Sequence, residues 1–306
     1  MNAIRTLLQG SIDYAGLFPP AGLDMPAAVQ NYALYHTGPD AWALGRFVVP
    51  ASRLGEFEAA AAAMHRPGAR SDGPWRLSVL AGPEPATDLE AIAKFTQRHS
   101  STDAPFVADT LELKATAKSA IASLMGTLPG GLQAYIEIPI GDDPREILAT
   151  IARHGGSAKI RTGGVTRESF PATTDLLRFI RTCVQVGLPF KATAGLHHPL
   201  RSEYRLTYAE GSPAAPMFGF LNLFLVTGFV RAGMHESDAV RLLEERSPRA
   251  FQVEDDGITW ERHRLDREAL RSMRQEGMIS FGSCSFTEPL SDLQALHLLP
   301  RRVQRA

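Results

Sequence analysis

Cysteine and lysine are both scarce in this chain of 306 residues. Two cysteines, Cys183 and Cys284, are too few for a disulfide scaffold or a cysteine-rich metal site. Of the 32 basic residues, five are lysines and 27 are arginines. Because a guanidinium stays charged in proteins, a site that needs an amine able to lose its proton has to use lysine. The positions of the few lysines are therefore informative.

The sequence also lacks an excess of charge of one sign and a long apolar run. Lys+Arg 32 against Asp+Glu 33 gives a net charge of -1, whereas nucleic-acid and membrane-surface binders usually carry a cationic excess. The N-terminus has no extended apolar segment, so we expect no signal peptide. The most apolar stretch, residues 216–230, is short for a membrane span. We therefore expect a soluble, cytoplasmic protein that binds neither nucleic acid nor a membrane.

Short apolar runs alternate with helix-like segments along the chain. This alternation predicts parallel strands joined by crossover helices, and eight such strands predict an α/β fold, a single (β/α)8 TIM-barrel domain. A doubly wound open sheet is the alternative, weakened by the absence of G-x-G-x-x-G after the first strand. The predicted strands span residues 12–18, 46–50, 76–81, 106–114, 132–139, 158–163, 188–195 and 278–284. The predicted helices span residues 52–64, 88–99, 116–125, 144–152, 173–186 and 237–246.

Residues 200–277, between the last two predicted strands, form an insertion or lid region within the barrel. An apolar helix-like run at 218–230 indicates a lid or an oligomer contact, because exposed apolar patches usually meet a partner, and we expect a homo-oligomer. Asp-Gly at 256–257 predicts a hairpin, and residues 261–276 predict a charged helix. Whether the run at Phe251 or the run at Ile12 is the barrel strand stays open.

Charged side chains collect at the C-terminal ends of the predicted strands, where a TIM barrel builds its active site. Because side chains alternate along a strand, Glu112 and Lys114 share one face of the strand predicted at 106–114. Lys159 and Arg161 likewise share one face of the strand predicted at 158–163. Lys191 has the corresponding place on the following strand. Charged residues on strands this apolar are costly to bury unless they are paired or used.

Lys159 is the candidate nucleophile. A lysine crowded by another cation in a partly desolvated pocket has a lowered pKa, and the neutral amine can attack a carbonyl carbon to form an imine. Arg161 and Lys191 are the cations that would crowd it. The alternative is a structural ion-pair network, in which Glu112 and Glu137 neutralise these cations and fill the mouth of the barrel.

Three motifs, by their order and spacing, resemble deoxyribose-phosphate aldolase and the related class I aldolases. They are Lys-x-x-Thr-Gly from Lys159, Lys-x-x-x-Gly from Lys191 and Phe-Gly-x-x-Ser from Phe281. The resemblance implies an aldolase-type carbon–carbon lyase that works through a lysine Schiff base, with no metal and no other cofactor. It implies that Lys159 forms the Schiff base and that Lys191 perturbs it. Glu112 would move protons, supported by Glu137 on the strand before Lys159.

The resemblance also implies an anion-binding turn at a helix N-terminus, formed by Gly282, Ser283 and Ser285. The sequence departs from the family at Arg161, where the family carries a small residue. Because arginine can clamp a carboxylate or phosphate bidentately, we expect a small anionic carbonyl compound or a phosphate-bearing metabolite as the partner. The other predicted substrate- or anion-binding residues are Lys114, Thr162, Gly163, His197 and His198.

Two other functions stay open. A metal-dependent barrel hydrolase or isomerase would use Glu112, Glu137 and either His197 or His198 as ligands. A non-catalytic barrel would bind an anionic metabolite without turning it over.

Two further positions depend on the fold. Asp13 reaches the site only if its run is the first barrel strand; otherwise the segment is a turn before Pro19 and Pro20. Cys284 lies beside the predicted anion-binding turn and has no obvious histidine partner in the sequence. We therefore interpret Cys284 as a small core residue.

Overall fold

The eight predicted strands close into a parallel barrel. The computed structural model describes residues 3–62, 64, 73–101 and 105–299. Around the barrel the strands follow the order Ile12–Tyr14, Met278–Ser283, Phe190–Thr193, Ser157–Arg161, Gln133–Glu137, Phe106–Lys114, Trp75–Leu80 and Leu44–Pro50, and every neighbouring pair is parallel. The fold is therefore a (β/α)8 TIM barrel, as the sequence predicts. The first seven strands are β1 (Ile12–Tyr14), β2 (Leu44–Pro50), β3 (Trp75–Leu80), β4 (Phe106–Lys114), β5 (Gln133–Glu137), β6 (Ser157–Arg161) and β7 (Phe190–Thr193).

Two small antiparallel sheets lie between β7 and the last barrel strand. One is a hairpin of β8 (Ser202–Arg205) and β9 (Ala214–Met217). The other is a three-stranded sheet of β10 (Phe251–Val253), β11 (Gly257–Trp260) and β12 (His263–Asp266). β13 (Met278–Ser283) then closes the barrel against β1. The run at Ile12 is thus the first barrel strand, and the run at Phe251 belongs to the three-stranded antiparallel sheet.

Helices surround the barrel, and all six that the sequence predicts between strands are present. The predicted helix over 52–64 begins two residues later, and position 63 lies outside the described residues. The helices are α1 (Ala3–Leu8), α2 (Met25–Thr37), α3 (Leu54–Ala62), α4 (Pro85–Arg98), α5 (Lys118–Thr127), α6 (Arg145–Arg153), α7 (Thr173–Gln185), α8 (Phe220–Arg231), α9 (Glu236–Leu243), α10 (Arg267–Glu276) and α11 (Thr287–Ala295). Short 3-10 turns form at Ala41–Ala43, Ala51–Arg53, Arg167–Ser169 and Pro248–Ala250.

The charged helix predicted over residues 261–276 is only partly correct. Residues His263–Asp266 form β12, which pairs with β11 through Thr259 and Arg264. The helix α10 starts at Arg267, directly after this strand. The Asp266 carboxylate caps the helix by accepting a hydrogen bond from the Ala269 backbone N–H at 2.8 Å. The Asp-Gly pair does form the predicted hairpin, between β10 and β11.

The apolar run at 218–230 forms α8, and its position differs from the expectation of a lid or an oligomer contact. Residues 220–229 are all buried within this chain, against the barrel and the neighbouring helices α7, α9 and α10. Its one amide, Asn222, accepts from the Arg201 backbone N–H at 3.0 Å and donates to the Leu242 carbonyl at 2.7 Å. Because the run is covered, the reason for predicting an oligomer contact there is gone.

The interior of the barrel is polar at its carboxyl end. The buried charged or hydroxyl-bearing residues there include Asp13, Glu112, Lys159, Lys191 and Ser280. The apolar core lies instead between the outer face of the strands and the helices. Among the residues that the structure describes, none of the helices has both the length and the apolar content needed to span a bilayer.

Candidate active site

A cavity of about 220 Å³ lies at the carboxyl ends of the strands, where barrel enzymes place their chemistry. The loops after β1, β6 and β7 form its walls together with the end of β13. The β8–β9 hairpin adds Leu206 and Met217 as apolar cover. The charged or reactive side chains that line the cavity are Glu112, Lys159, Arg161, Lys191, His197 and Cys284.

Two lysines and three carboxylates alternate in a buried ion-pair cluster beneath this cavity, and its members Lys159, Lys191 and Glu112 form the cavity floor. Lys159 Nζ lies 2.6 Å from Glu112 Oε2 and 2.9 Å from Glu137 Oε2. Lys191 Nζ lies 2.6 Å from Glu112 Oε1 and 2.6 Å from Asp13 Oδ2. The register explains this arrangement, since Lys159 pairs with Glu137 on one side and with Lys191 on the other. The convergence of the two lysines, which the sequence leaves open, is therefore produced by the fold.

Glu112 is the centre of the cluster. Its side chain is 2% exposed and accepts hydrogen bonds from both lysines, and also from Ser78 Oγ at 2.6 Å. Burial alone would raise the pKa of this carboxyl, but the charges of Lys159 and Lys191 outweigh burial and hold the pKa well below its usual range. Glu112 is therefore ionised at every physiological pH.

Lys191 is held in its charged form. Burial opposes the charge, yet the carboxylates of Asp13 and Glu112 outweigh burial and raise the pKa of this amine. Asp13 also accepts from Ser280 Oγ at 2.7 Å and from the Arg46 backbone N–H at 2.8 Å, so both of its oxygens are fixed. Lys191 thus positions the shared carboxylate of Glu112, rather than acting as a free amine.

Arg161 and Lys114 lie at the edge of the cluster. Arg161 is exposed and lines the cavity, two residues beyond Lys159 on β6. The side chain of Lys114 is 77% exposed, with Nζ 3.5 Å from Glu137 Oε1. The ion-paired floor therefore opens towards a cationic rim, which suits a ligand with an anionic group.

Thr193 adds an unused polar atom to the cavity. Its hydroxyl oxygen is buried and has no hydrogen-bond partner among the described residues. Thr193 follows Lys191 on the same face of β7 and lines the cavity. Because a buried hydroxyl without a partner costs free energy, this atom is suited to receive a ligand's hydrogen bond.

Thr162 and Gly163 lie outside the cavity wall and support it. Thr162 Oγ1 donates to the Ala194 carbonyl at 2.8 Å, which ties the loop after β6 to the loop after β7. Gly163 packs so closely on Phe170 that a Cβ at this position would lie 2.4 Å from that ring. The structure therefore places both residues as supports for these loops instead of as direct anion contacts.

The predicted anion-binding turn is already occupied by the protein's own groups. Ser285 Oγ accepts the Glu288 backbone N–H at 3.1 Å, and Ser283 Oγ accepts the Ser285 backbone N–H at 3.3 Å. Glu288 brings a carboxylate into the first turn of α11. Because a carboxylate there repels a second anion, the turn is unsuited to phosphate, although Gly282 does line the cavity.

The neighbouring residues His197 and His198 have different surroundings. His198 Nδ1 lies 2.5 Å from Asp292 Oδ2, and its ring stacks on Tyr204 with centroids 3.6 Å apart, which is a structural role. His197 lines the cavity, with Nδ1 3.3 Å from Ser283 Oγ and 3.8 Å from Cys284 Sγ. Cys284 is buried, as its interpretation as a small core residue expects, but it lines the cavity and has a histidine partner that was not evident in the sequence.

One sequence signal points to that missed pair. His197 follows β7, and Cys284 follows β13. These two strands are neighbours in the closed barrel, so residues just beyond their carboxyl ends meet. Predicting the contact between His197 and Cys284 requires the order of the strands in the barrel, because the two residues are far apart in the sequence.

A lysine amine lies where the predicted metal ion would bind. Lys159 Nζ lies between Glu112 and Glu137, which were the two carboxylates of the predicted metal site. Over residues 3–62, 64, 73–101 and 105–299, no group of three or more His, Cys, Asp or Glu side chains is arranged to hold a metal ion. These carboxylates are arranged as partners of ammonium groups.

The fold and the site together define a TIM barrel whose cavity has a floor of paired lysines and carboxylates. No match to the chain was found among protein-family models, curated proteins or solved structures. The geometry of the cavity is accordingly the basis for assigning a function.

Proposed function

We propose that the protein is a class I lyase, in which Lys159 forms a Schiff base with a small carbonyl compound that carries an anionic group. The observation that carries this proposal is the position of Lys159 Nζ. This amine lines the cavity floor and lies 2.9 Å from Glu137 Oε2, a carboxylate that can accept its proton, and 2.6 Å from the ionised Glu112. An amine so placed can be deprotonated at the moment a carbonyl carbon arrives.

In this mechanism the two carboxylates have different roles. Glu112, whose pKa is held low by both lysines, stays ionised and fixes the two ammonium groups. Glu137 takes the proton of Lys159, and the free amine adds to the carbonyl carbon and then loses water as the imine forms. Glu137 gives the proton to the departing water, which leaves a positively charged iminium, and then takes the proton of the hydroxyl group on the β carbon. The bond between the α and β carbons breaks, its electron pair moves into the iminium to form an enamine, and the β carbon leaves in an aldehyde or ketone. Protonation of the resulting enamine and hydrolysis of the imine restore Lys159.

The substrate class follows from the rim. Arg161 is the charged group that lines the cavity without an ion pair among the described residues, and its planar guanidinium suits a carboxylate. The turn at Ser283 and Ser285 is filled by Glu288 and the protein's own backbone, which disfavours a phosphate group there. A cavity of about 220 Å³ suits a small molecule. A keto acid or related carboxylated carbonyl compound fits these features.

Borohydride trapping tests the proposal. Wild type, Lys159→Met and Lys114→Met are incubated with small aldehydes, keto acids and their phosphates, reduced, and mapped by peptide mass spectrometry. Lys114→Met is the matched control, because this lysine also contacts Glu137 but is largely exposed. We expect a reduced adduct on Lys159 in wild type and in Lys114→Met, and none in Lys159→Met. An adduct confined to other lysines would contradict the assignment of Lys159.

The role of Arg161 is tested with the same assay. Arg161→Gln should lower adduct formation with keto acids by about tenfold or more, because a charge-assisted hydrogen bond contributes roughly 1.5–3 kcal/mol. Adduct formation with neutral aldehydes should change little. Equal loss for both classes of compound would assign Arg161 a general structural role instead.

A non-catalytic anion-binding barrel is the second candidate function. The observation that favours it is the complete pairing of Lys159 and Lys191 with carboxylates, as in a structural network. Its signature would be a rise in Tm with keto acids, without an adduct and without turnover. Such a result would replace the lyase proposal.

A further inference from the structure

A second reactive group faces the cavity from the wall formed by β13. Cys284 Sγ lies 3.8 Å from His197 Nδ1 and 3.5 Å from Tyr208 Oη, and Cys284 and His197 both line the cavity. Glu288 Oε2 lies 3.5 Å from the same imidazole nitrogen and accepts from Tyr208 Oη at 3.0 Å. A thiol, an imidazole and a carboxylate therefore meet at one point of the wall.

The charges at this point favour an imidazolium beside the sulfur. Burial opposes the charge of His197, but its hydrogen bonds with Cys284 and Glu288 outweigh burial and raise its pKa to about 9. Burial raises the pKa of Cys284, while the hydrogen bond and charge of His197, together with hydrogen bonds from Tyr208 and the Ala21 backbone, lower it, and the net shift is downward. Near neutral pH His197 is a cation, and the thiolate fraction of Cys284 is increased.

Each element packed around the sulfur contributes to this balance. The loop after β7 brings His197, the β8–β9 hairpin brings Tyr208 and α11 brings Glu288. Tyr208 and the backbone of Ala21 both hydrogen-bond with Cys284 and lower its pKa. Glu288 and Tyr14 are the opposing anionic or ionisable neighbours. Cys183 offers a contrast within the chain, because burial alone raises its pKa.

We propose that Cys284 is a second nucleophile of the cavity, which adds reversibly to the carbonyl carbon of a small aldehyde. The sulfur–carbon bond forms as the carbonyl π electrons move to oxygen, and that oxygen takes a proton from the His197 imidazolium. The product is a hemithioacetal with neutral His197. The reverse step returns the proton and releases the aldehyde, so no further reactant is needed. This proposal does not depend on imine formation at Lys159.

The first test measures the rate of Cys284 alkylation by iodoacetamide against pH, by peptide mass spectrometry of the folded protein. Cys183 serves as the internal control in every sample. The midpoint for Cys284 in wild type should lie about one pH unit or more below that in His197→Asn. At neutral pH the rate should fall roughly threefold or more in His197→Asn, because a larger thiolate fraction is partly offset by weaker nucleophilicity. His198→Asn, which alters the neighbouring histidine, should retain the wild-type midpoint.

The second test uses glycolaldehyde as the probe. It should slow the alkylation of Cys284 in wild type and equally in Lys159→Arg, which keeps the positive charge on the floor but forms no imine. Protection that disappears in Lys159→Arg would overturn the proposal, since the probe would then be held by the lysine. A midpoint unchanged in His197→Asn, or a Cys284 no more reactive than Cys183, would overturn it as well.

Discussion

Two groups of ion pairs cross the strands of this barrel, and they use different cations. Near the amino ends of the strands, Asp109 of β4 accepts from Arg46 Nε and from Arg76 Nε, each at 2.6 Å. At the carboxyl ends, the cations are Lys159 and Lys191, which are 7% and 1% exposed. The first group is partly solvated and lies outside the cavity lining, whereas the second forms the cavity floor.

The difference teaches how to separate a structural network from a reactive one. An arginine keeps its proton, so the pairs at Asp109 can only hold strands together. A lysine can give up its proton to an adjacent carboxylate, and it does so most usefully where a ligand can reach it. In a chain with five lysines and 27 arginines, two buried lysines at the carboxyl ends are therefore the feature on which the proposed imine chemistry is based.

The largest effect on the free energy of unfolding is expected for Lys191, whose side chain is 1% exposed. Lys191→Met should lower the free energy of unfolding by about 3–5 kcal/mol, because it leaves Asp13 and Glu112 with less compensation for their buried charges. Urea denaturation measures the change, with Lys114→Met as the exposed control, expected within about 1 kcal/mol of wild type. Equal stability of the two variants would remove the distinction between floor and rim.

The next effect concerns the arginine group. Arg46→Met should lower the free energy of unfolding by about 1.5–3 kcal/mol, since it removes a charge-assisted hydrogen bond that is mostly buried. The borohydride adduct on Lys159 should persist at its wild-type level. A folded Arg46→Met protein that forms no adduct would mean that the two groups act together, and the comparison would fail.

The pH dependence of stability separates the groups further. Because the pKa of Glu112 is lower in the folded protein, its contribution is complete above the ordinary value of 4.5 and is lost as pH falls towards the folded-state value. The stability difference between wild type and Glu112→Gln should thus be constant above about pH 5.5. It should then shrink by up to about 1.4 kcal/mol per pH unit in acid. Urea denaturation at a series of pH values measures the difference, and a difference that grows in acid would contradict the assigned charge state.

The smallest effect is expected at the solvent-facing end of the arginine group. The side chain of Arg76 is 56% exposed, and Arg46 remains as a partner of Asp109 in its absence. Arg76→Ala should therefore change the free energy of unfolding by less than about 1 kcal/mol. Thermal unfolding in low and high salt provides the measurement. A larger loss that salt does not reduce would show that this pair is not screened by solvent.

Much of the fold could be predicted from the sequence, and the errors have physical causes. The eight strands follow from short apolar runs between helix-like segments, and alternation places Glu112 with Lys114, and Lys159 with Arg161, on one face of each strand. The helix predicted at 261–276 was too long because charge patterning alone does not distinguish a helix from an exposed strand. Asp266, which caps α10, marks the true boundary.

The apolar run at 218–230 was misinterpreted for a related reason. Its composition is equally consistent with an exposed patch and with a helix covered on every side. Only the packing of α8 against the barrel and its neighbouring helices decides between the two. Asn222 is buried, and its side-chain amide forms hydrogen bonds with the backbone of Arg201 and Leu242. These long-range partners could not be predicted from the local sequence.

The sequence by itself determined the number of strands, the charged side chains that share a strand face and the scarcity of lysine that drew attention to Lys159 and Lys191. The tertiary structure alone decided which charges meet. Closing the barrel set β7 between β6 and β13, which placed Lys191 between Asp13 and Glu112 and brought Cys284 to His197. The reason is that side-chain alternation is a local property of each strand, whereas contact between strands depends on the register of pairings far apart in the chain.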